Sequence, residues 1–366
     1  MQLSNLVSGG VVNSGSIQSA SQAGIWADQG VSGGILNEST GTIEGRVGIQ
    51  VTNHFDANLR QVDWIENRGT VTATDPSTSS GAIELVSASM PIGRLTNRGT
   101  VDGAGSGVLV EARTGTSLNP AEGLGLLENV GSGALIQGDQ VGVHLYSGGQ
   151  VTLLNNEQTI TGDASAGLQL RCAGFSCPEL GSLNNSGTIQ GLNSGAHGVV
   201  IDGNEGNSDF ATNAIGTSAR IVNLNNQSAG QILGASDGIR TLSGLTTFFG
   251  SDAVIPDDAF ERVGTLNNAG QITGTSGSGL FSEGRITTLN NLAGADIRGG
   301  IDAIKLAGVD AAIVTLNNLG TLTAGSGYGI NNGVLSRVGK LVNAQGGAQP
   351  LTYTGLLPEQ YHVVLV

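Results

Sequence analysis

The sequence predicts an all-β fold, a right-handed parallel β-helix (β-solenoid) of about twelve three-stranded coils. Three observations carry this reading. A short motif recurs along the chain, most plainly as Leu183-Asn184-Asn185-Ser186-Gly187-Thr188-Ile189-Gln190-Gly191. With the second Asn as marker, its copies stand at Asn13, Asn37, Asn67, Asn97, Asn129, Asn156, Asn185, Asn226, Asn268, Asn291, Asn318 and Asn343, at intervals of 23 to 42 residues. A repeat of roughly 20 to 50 residues marks a stacked architecture, and uneven intervals mean that one part of each unit is fixed while another accepts insertions. Finally, charged residues make up only 12% of the chain while Gly numbers 61, and no run of helix formers with a 3.6-residue period is present.

The first strand of each coil is a Gly followed by apolar residues in alternation: Gly48-Ile49-Gln50-Val51, Gly107-Val108-Leu109-Val110, Gly142-Val143-His144-Leu145 and Gly167-Leu168-Gln169-Leu170. A period of two buries one face of a strand. A loop of variable length leads to a second short strand that ends at Leu-Asn-Asn. A turn at Gly then opens the third strand, such as Thr188-Ile189-Gln190.

Coils stacked about 4.8 Å apart give parallel sheets and a rod on the order of 55 Å long. The recurring Asn is expected at a corner, where it tolerates left-handed geometry and its amide can bond the amides above and below as a ladder. The ladder is expected through Asn97, Asn156, Asn185, Asn226, Asn268, Asn291 and Asn318. Gly is expected to supply the other backbone angles of the corner.

Insertions project between the first and second strands, most extensively at 203–221 and 243–263, where they leave the stack undisturbed. The coils are read over 1–348. Residues 349–366 depart from the repeat and read as the start of a cap, because the chain stops inside an apolar run.

A net charge of −14 repels phosphate backbones and argues against nucleic acid as a partner. No stretch of 18 apolar residues is present, so no membrane insertion by this segment is expected. Met1-Gln2-Leu3-Ser4-Asn5 lacks the features of a signal peptide, which leaves a cytoplasmic chain or a mature segment of a longer precursor. The pair Cys172-Ala-Gly-Phe-Ser-Cys177 favours the second: a disulfide there would clip a surface loop in an oxidising compartment, the alternative being two free thiols. No metal or other cofactor is expected, since no further Cys or adjacent His completes a zinc site. The acidic stretches at 202–209 and 252–261 match neither the EF-hand nor the nonapeptide calcium repeat.

The Leu-Asn-Asn-x-Gly-Thr-Ile-x-Gly repeats, the single closely spaced Cys pair, the acidic charge and the poverty in Lys resemble the passenger domains of bacterial type V autotransporters, in particular adhesin-type passengers. The resemblance covers residues 12–366. It implies a right-handed β-helix exported through the outer membrane, and it leaves the ligand open.

Catalysis is not expected. Gly234-Ala235-Ser236-Asp237-Gly238 fits the nucleophile-elbow pattern, but the same slot holds Gly274-Thr275-Ser276-Gly277-Ser278-Gly279 and Ala324-Gly325-Ser326-Gly327-Tyr328-Gly329, so it reads as the corner turn of the repeat. His54, His144, His197 and His362 read as strand or surface positions.

Outward positions of the first strand include Glu84, Glu111, His144, Tyr146, Arg171, Arg240, Glu283 and Lys305, read as a solvated mixed-charge face from which Tyr146, Arg171 and Arg240 are binding candidates. Phe248, Phe249 and Phe260 cluster in one insertion of a chain whose aromatic fraction is 4%, and they either contact a partner or pack the loop back onto the rod.

The function expected is an adhesive rod, at the cell surface or secreted, that contacts a host or bacterial cell-surface protein, a glycan or an identical rod. The alternatives are a carbohydrate-degrading β-helix enzyme and a passive spacer.

Overall fold

The computed structural model describes the chain except residues 4–6, 29–30, 54–61, 88–91, 113–122, 174–176, 204–218, 243–260, 309–310, 344–352, 355–362 and 366. Among the described residues every regular element is a strand. Nearly every strand pairs in parallel with the one three further along the chain, so that the chain visits three sheets in turn, of 13, 13 and 11 strands among the described residues. This is the expected β-helix, right-handed as parallel crossover connections are.

The coil with Ala166–Arg171, Glu179–Asn185 and Thr188–Gly191 shows the unit, one strand in each of the first, second and third sheets. Its inward residues align with their copies above and below. Ile160, Ile189, Ile232, Ile272 and Ile297 form one column in the third sheet, and Leu154, Leu183, Leu224, Leu266 and Leu289 form one in the second. All ten are fully buried. Each such side chain contributes about 1.5–3 kcal/mol of burial, so the stack is held by repetition of one contact.

The Asn ladder is complete. Asn13, Asn37, Asn67, Asn97, Asn129, Asn156, Asn185, Asn226, Asn268, Asn291 and Asn318 each donate from Nδ2 to Oδ1 of the next, at 2.7–2.9 Å, and Asn343 is the last acceptor. The amides lie inside the corner between the second and third sheets, and from Asn37 to Asn291 they are at most 1% exposed. Most donate a second bond to the main-chain carbonyl that opens the third strand one coil on, as Asn156 does to Thr188 O at 3.1 Å. Both amide hydrogens are thereby used without water.

One expectation about this corner is corrected and another holds only in some coils. The Asn residues are not left-handed: Ser147, at φ 49°, is the only non-Gly with positive φ among the described residues. They close the second strand instead. The following glycines, such as Gly41, Gly69, Gly99 and Gly187, are not required by backbone angle either. A Cβ on Gly69 or Gly99 would be driven into the main chain of the preceding coil, and one on Gly41 into the Asn37 amide. Close approach of neighbouring coils demands Gly at these positions, whereas Gly131, Gly133 and Gly294 at the same corner of other coils take the positive φ that was expected.

Nearly all the stretches outside the described residues, including 204–218 and 243–260, fall between a first-sheet strand and a second-sheet strand. The connection there can also be very short, as from Ser282 to Arg285. Near the end of the chain, Tyr353–Thr354 and Val363–Leu365 add one more strand to the first and second sheets.

Candidate functional site

Chemistry-bearing side chains collect on the outer face of the first sheet. Strand pairing stacks its outward residues in one column: Trp26, Gln50, Glu84, Leu109, His144, Gln169, Val200, Arg240, Phe281, Lys305 and Asn331. A second column, two residues further along each strand, holds Glu111, Tyr146, Arg171 and Asp202. Of the outward candidates, Glu84, His144, Arg240 and Lys305 share the first column and Glu111, Tyr146 and Arg171 the second, while Glu283 follows the Leu280–Ser282 strand. Arg240 lies in the adjoining column two coils beyond Arg171.

The expectation of a solvated face fails over the middle coils. Glu84, Leu109, His144, Gln169 and Val200 are all buried. The chain before the Gly81–Ser87 strand folds over this stretch, and Thr78 O receives Ser106 Oγ at 3.3 Å and lies 3.1 Å from His144 Nδ1. The His144 ring also stands 5.3 Å from the Tyr146 ring. Burial drives the His144 imidazole down to about 4, since removal from water penalises its charged form more than the Thr78 carbonyl favours it. Nε2 of this ring is buried without a hydrogen-bond partner among the described residues.

Beyond Val200 the face opens. Arg240, Phe281, Lys305 and Asn331 are each half-buried. The Arg240 guanidinium lies 5.1 Å from the centroid of the Phe281 ring and the Lys305 ammonium 5.7 Å from it, so one ring is stacked between two cations.

Along the flank of this stack, at the corner from the third sheet, two buried carboxylates lock one coil to the next. Asp237 Oδ1 accepts from Ser278 N at 2.7 Å, and Asp302 Oδ1 accepts from Tyr328 N at 2.8 Å. The glycine beside each acceptor coil leaves the necessary room, because a Cβ on Gly277 or Gly327 would collide with Asp237 Oδ1 or Asp302 Oδ1.

The other oxygen of Asp237 lies 3.6 Å from Arg240 Nη1 and 3.3 Å from His197 Nδ1. That ring nitrogen also receives the Asp237 N–H at 3.2 Å. A single nitrogen cannot accept and donate at once, so a bare Nδ1 takes the Asp237 N–H, whereas an Nδ1 that carries a hydrogen bonds the carboxylate instead. Burial pushes the Asp237 carboxyl up, but His197, the Ser278 N–H and Arg240 outweigh it and hold it below the usual carboxylate range. The Ser278 and Arg240 contributions persist whatever the state of the ring.

The segment Gly234–Gly238 is thus the corner turn expected of it: Ser236 N donates to Ala196 O one coil back, and the residue that matters is Asp237.

Arg171 meets Asp202 at 3.7 Å, one coil on. Cys172 and Cys177 form the expected disulfide, between the first- and second-sheet strands of their coil. Phe248, Phe249 and Phe260 lie outside the described residues, as do His54 and His362 and most of the two acidic stretches weighed for calcium. No group of three or more His, Cys, Asp or Glu able to hold a metal occurs among the described residues.

Sequence reasoning missed Phe281, Asp237, Asp302 and a second amide ladder. That ladder runs through Asn155, Asn184, Asn225, Asn267, Asn290 and Asn317 on the outside of the second sheet, at 2.8–3.0 Å. Its donors point toward the chain start, opposite to the inner ladder. The doubling of Asn in each of these coils was the available signal.

No family model, curated protein or solved structure matches the chain.

Proposed function

We propose that this chain is the adhesive part of a bacterial surface or secreted protein, exported as an autotransporter passenger, in which a rigid rod carries contact surfaces on one side. The observation that carries this reading is the concentration of variation. The second and third sheets repeat almost invariantly, while nearly every insertion leaves between the first and second sheets, next to the column that holds Arg240, Phe281 and Lys305. A scaffold that repeats and one edge that varies suit weak contacts multiplied along a surface. The Cys172–Cys177 disulfide supports an oxidising location outside the cytoplasm. Partners of this reading are a host or bacterial surface protein, a glycan or an identical rod.

The test displays the chain on cells that do not aggregate and measures aggregation and attachment, with residues 243–263 intact or replaced by a short Gly-Ser link. Display without any aggregation or attachment defeats the proposal, and an unchanged result after the replacement removes this insertion as the contact.

A further inference from the structure

We propose that the Arg240–Phe281–Lys305 stack is a subsite for an acidic polysaccharide lying along the rod, whose carboxylate or sulfate groups meet the two cations. Four observations lead there. The three residues occupy the same register position on consecutive strands, so the cations stand two coils apart, on the order of 9–10 Å. The ring between them holds both heads in place, with Arg240 at 5.1 Å and Lys305 at 5.7 Å from its centroid, which lowers the ordering entropy that long cationic side chains otherwise lose on binding. The chain carries a net charge of −14, and on this face Arg240 and Lys305 set two cations side by side, with Asp237 against Arg240 and Glu283 two residues past Phe281. No ion pair of Lys305 is seen among the described residues, and the neighbouring Asp302 carboxylate is hydrogen-bonded by Tyr328 N and, at 3.0 Å, by Asn331 Nδ2.

The polymer is favoured over a lone anion by geometry. A pyranose residue advances by about the height of one coil, so a chain that carries an acidic group on alternate sugars presents charges with the spacing of Arg240 and Lys305. Arg240 offers the planar fork that pairs with carboxylate or sulfate, although Asp237 at 3.6 Å holds one side of it, and Lys305 offers a point charge. With both ring faces used by the cations, sugar stacking on Phe281 is not part of the subsite. Asn331, next in the column, can donate to a sugar hydroxyl beyond Lys305.

This rests on the adhesive reading only for its biological setting, and the experiment separates the two. Binding of purified chain is measured by calorimetry against heparin-derived and polygalacturonate oligosaccharides, with a chitin oligosaccharide as neutral control. Variants are Arg240→Gln, Lys305→Gln, the double variant and Phe281→Leu, with Lys340→Gln in the second sheet as control and thermal melts to verify folding. The expected result is binding of one or both acidic oligomers that falls as salt rises, weakens about tenfold in each single Gln variant, weakens less in Phe281→Leu, and vanishes in the double variant. Which oligomer binds identifies carboxylate or sulfate. Failure of both acidic oligomers to exceed the chitin control, or full binding by a folded double variant, overturns the proposal. Cells displaying the double variant are tested in parallel: aggregation that survives loss of glycan binding leaves the adhesive reading intact, and glycan binding by a wild-type chain that attaches to no cell counts against the adhesive reading alone.

Discussion

Asn185 donates to Asn226 at 2.9 Å across 41 residues of chain, and accepts from Asn156 at 2.8 Å across 29. The bond length holds while the intervening sequence grows from 29 to 41 residues, so the amide, not the length of the repeat, sets the alignment of the coils.

Replacement of Asn185 by Ala is expected to cost about 3 kcal/mol, since it strands a buried donor of Asn156 and the buried oxygen of Asn226. Asn184→Ala, in the half-buried outer ladder, is expected to cost less than about 1 kcal/mol. Urea unfolding of the two variants decides the matter, and equal midpoint shifts would mean that burial of the inner ladder adds nothing.

Gly277→Ala should destabilise by about 2 kcal/mol, because its Cβ meets Asp237 Oδ1 in a packed corner. The penalty should shrink in an Asp237→Ser background, where the obstructing oxygen is gone. A double-mutant cycle with additive terms would exclude the clash as the cause.

Acid should weaken the fold in two separate windows. The buried His144 stays neutral until about pH 4, whereas the unfolded ring protonates near 6.5, so the unfolded state binds the extra proton between these values. Stability therefore falls as pH drops from 6.5 to 4, by up to about 3 kcal/mol. Asp237 is shifted in the same direction from a lower ordinary value: its depressed carboxyl contributes above the ordinary carboxylate range and loses that contribution only at lower pH. Chemical unfolding at pH 7 and pH 4.5 should show a loss in the wild type that His144→Gln reduces, and an identical loss in both proteins would clear His144 of the effect.

Removal of the disulfide as Cys172→Ala with Cys177→Ala should cost about 2 kcal/mol at most, the chain-entropy value for so short a loop. Cys172 is buried at 2% exposure, so Ala avoids the added penalty of a core hydroxyl. Thermal melts with and without reductant test this, and a wild type indifferent to reductant would contradict it.

The path of the chain was legible because one residue type recurs at a position where only it works. Asn carries an acceptor oxygen and two N–H donors side by side on one short planar amide, enough to bond the amide above and below and a main-chain carbonyl as well, so a buried ladder writes itself into the sequence. The reason for the corner glycines was not legible, since a required φ and a forbidden Cβ call for the same residue. Burial of His144 was hidden for another reason: its cover comes from Thr78, two coils earlier, and alternation along a strand reports only what lies beneath it. Phe281 drew no attention because its meaning arises from Arg240 and Lys305 on the neighbouring coils, 41 and 24 residues away in sequence.

Under tension the unequal intervals between ladder residues acquire a mechanical meaning. A stack whose units touch only their neighbours yields from its ends, one coil at a time. Each rupture would pay out the chain between two successive amides, from 23 residues at Asn268 to Asn291 up to 42 at Asn226 to Asn268. A tethered rod of this kind would lengthen in graded steps and dissipate load while its remaining coils kept their grip.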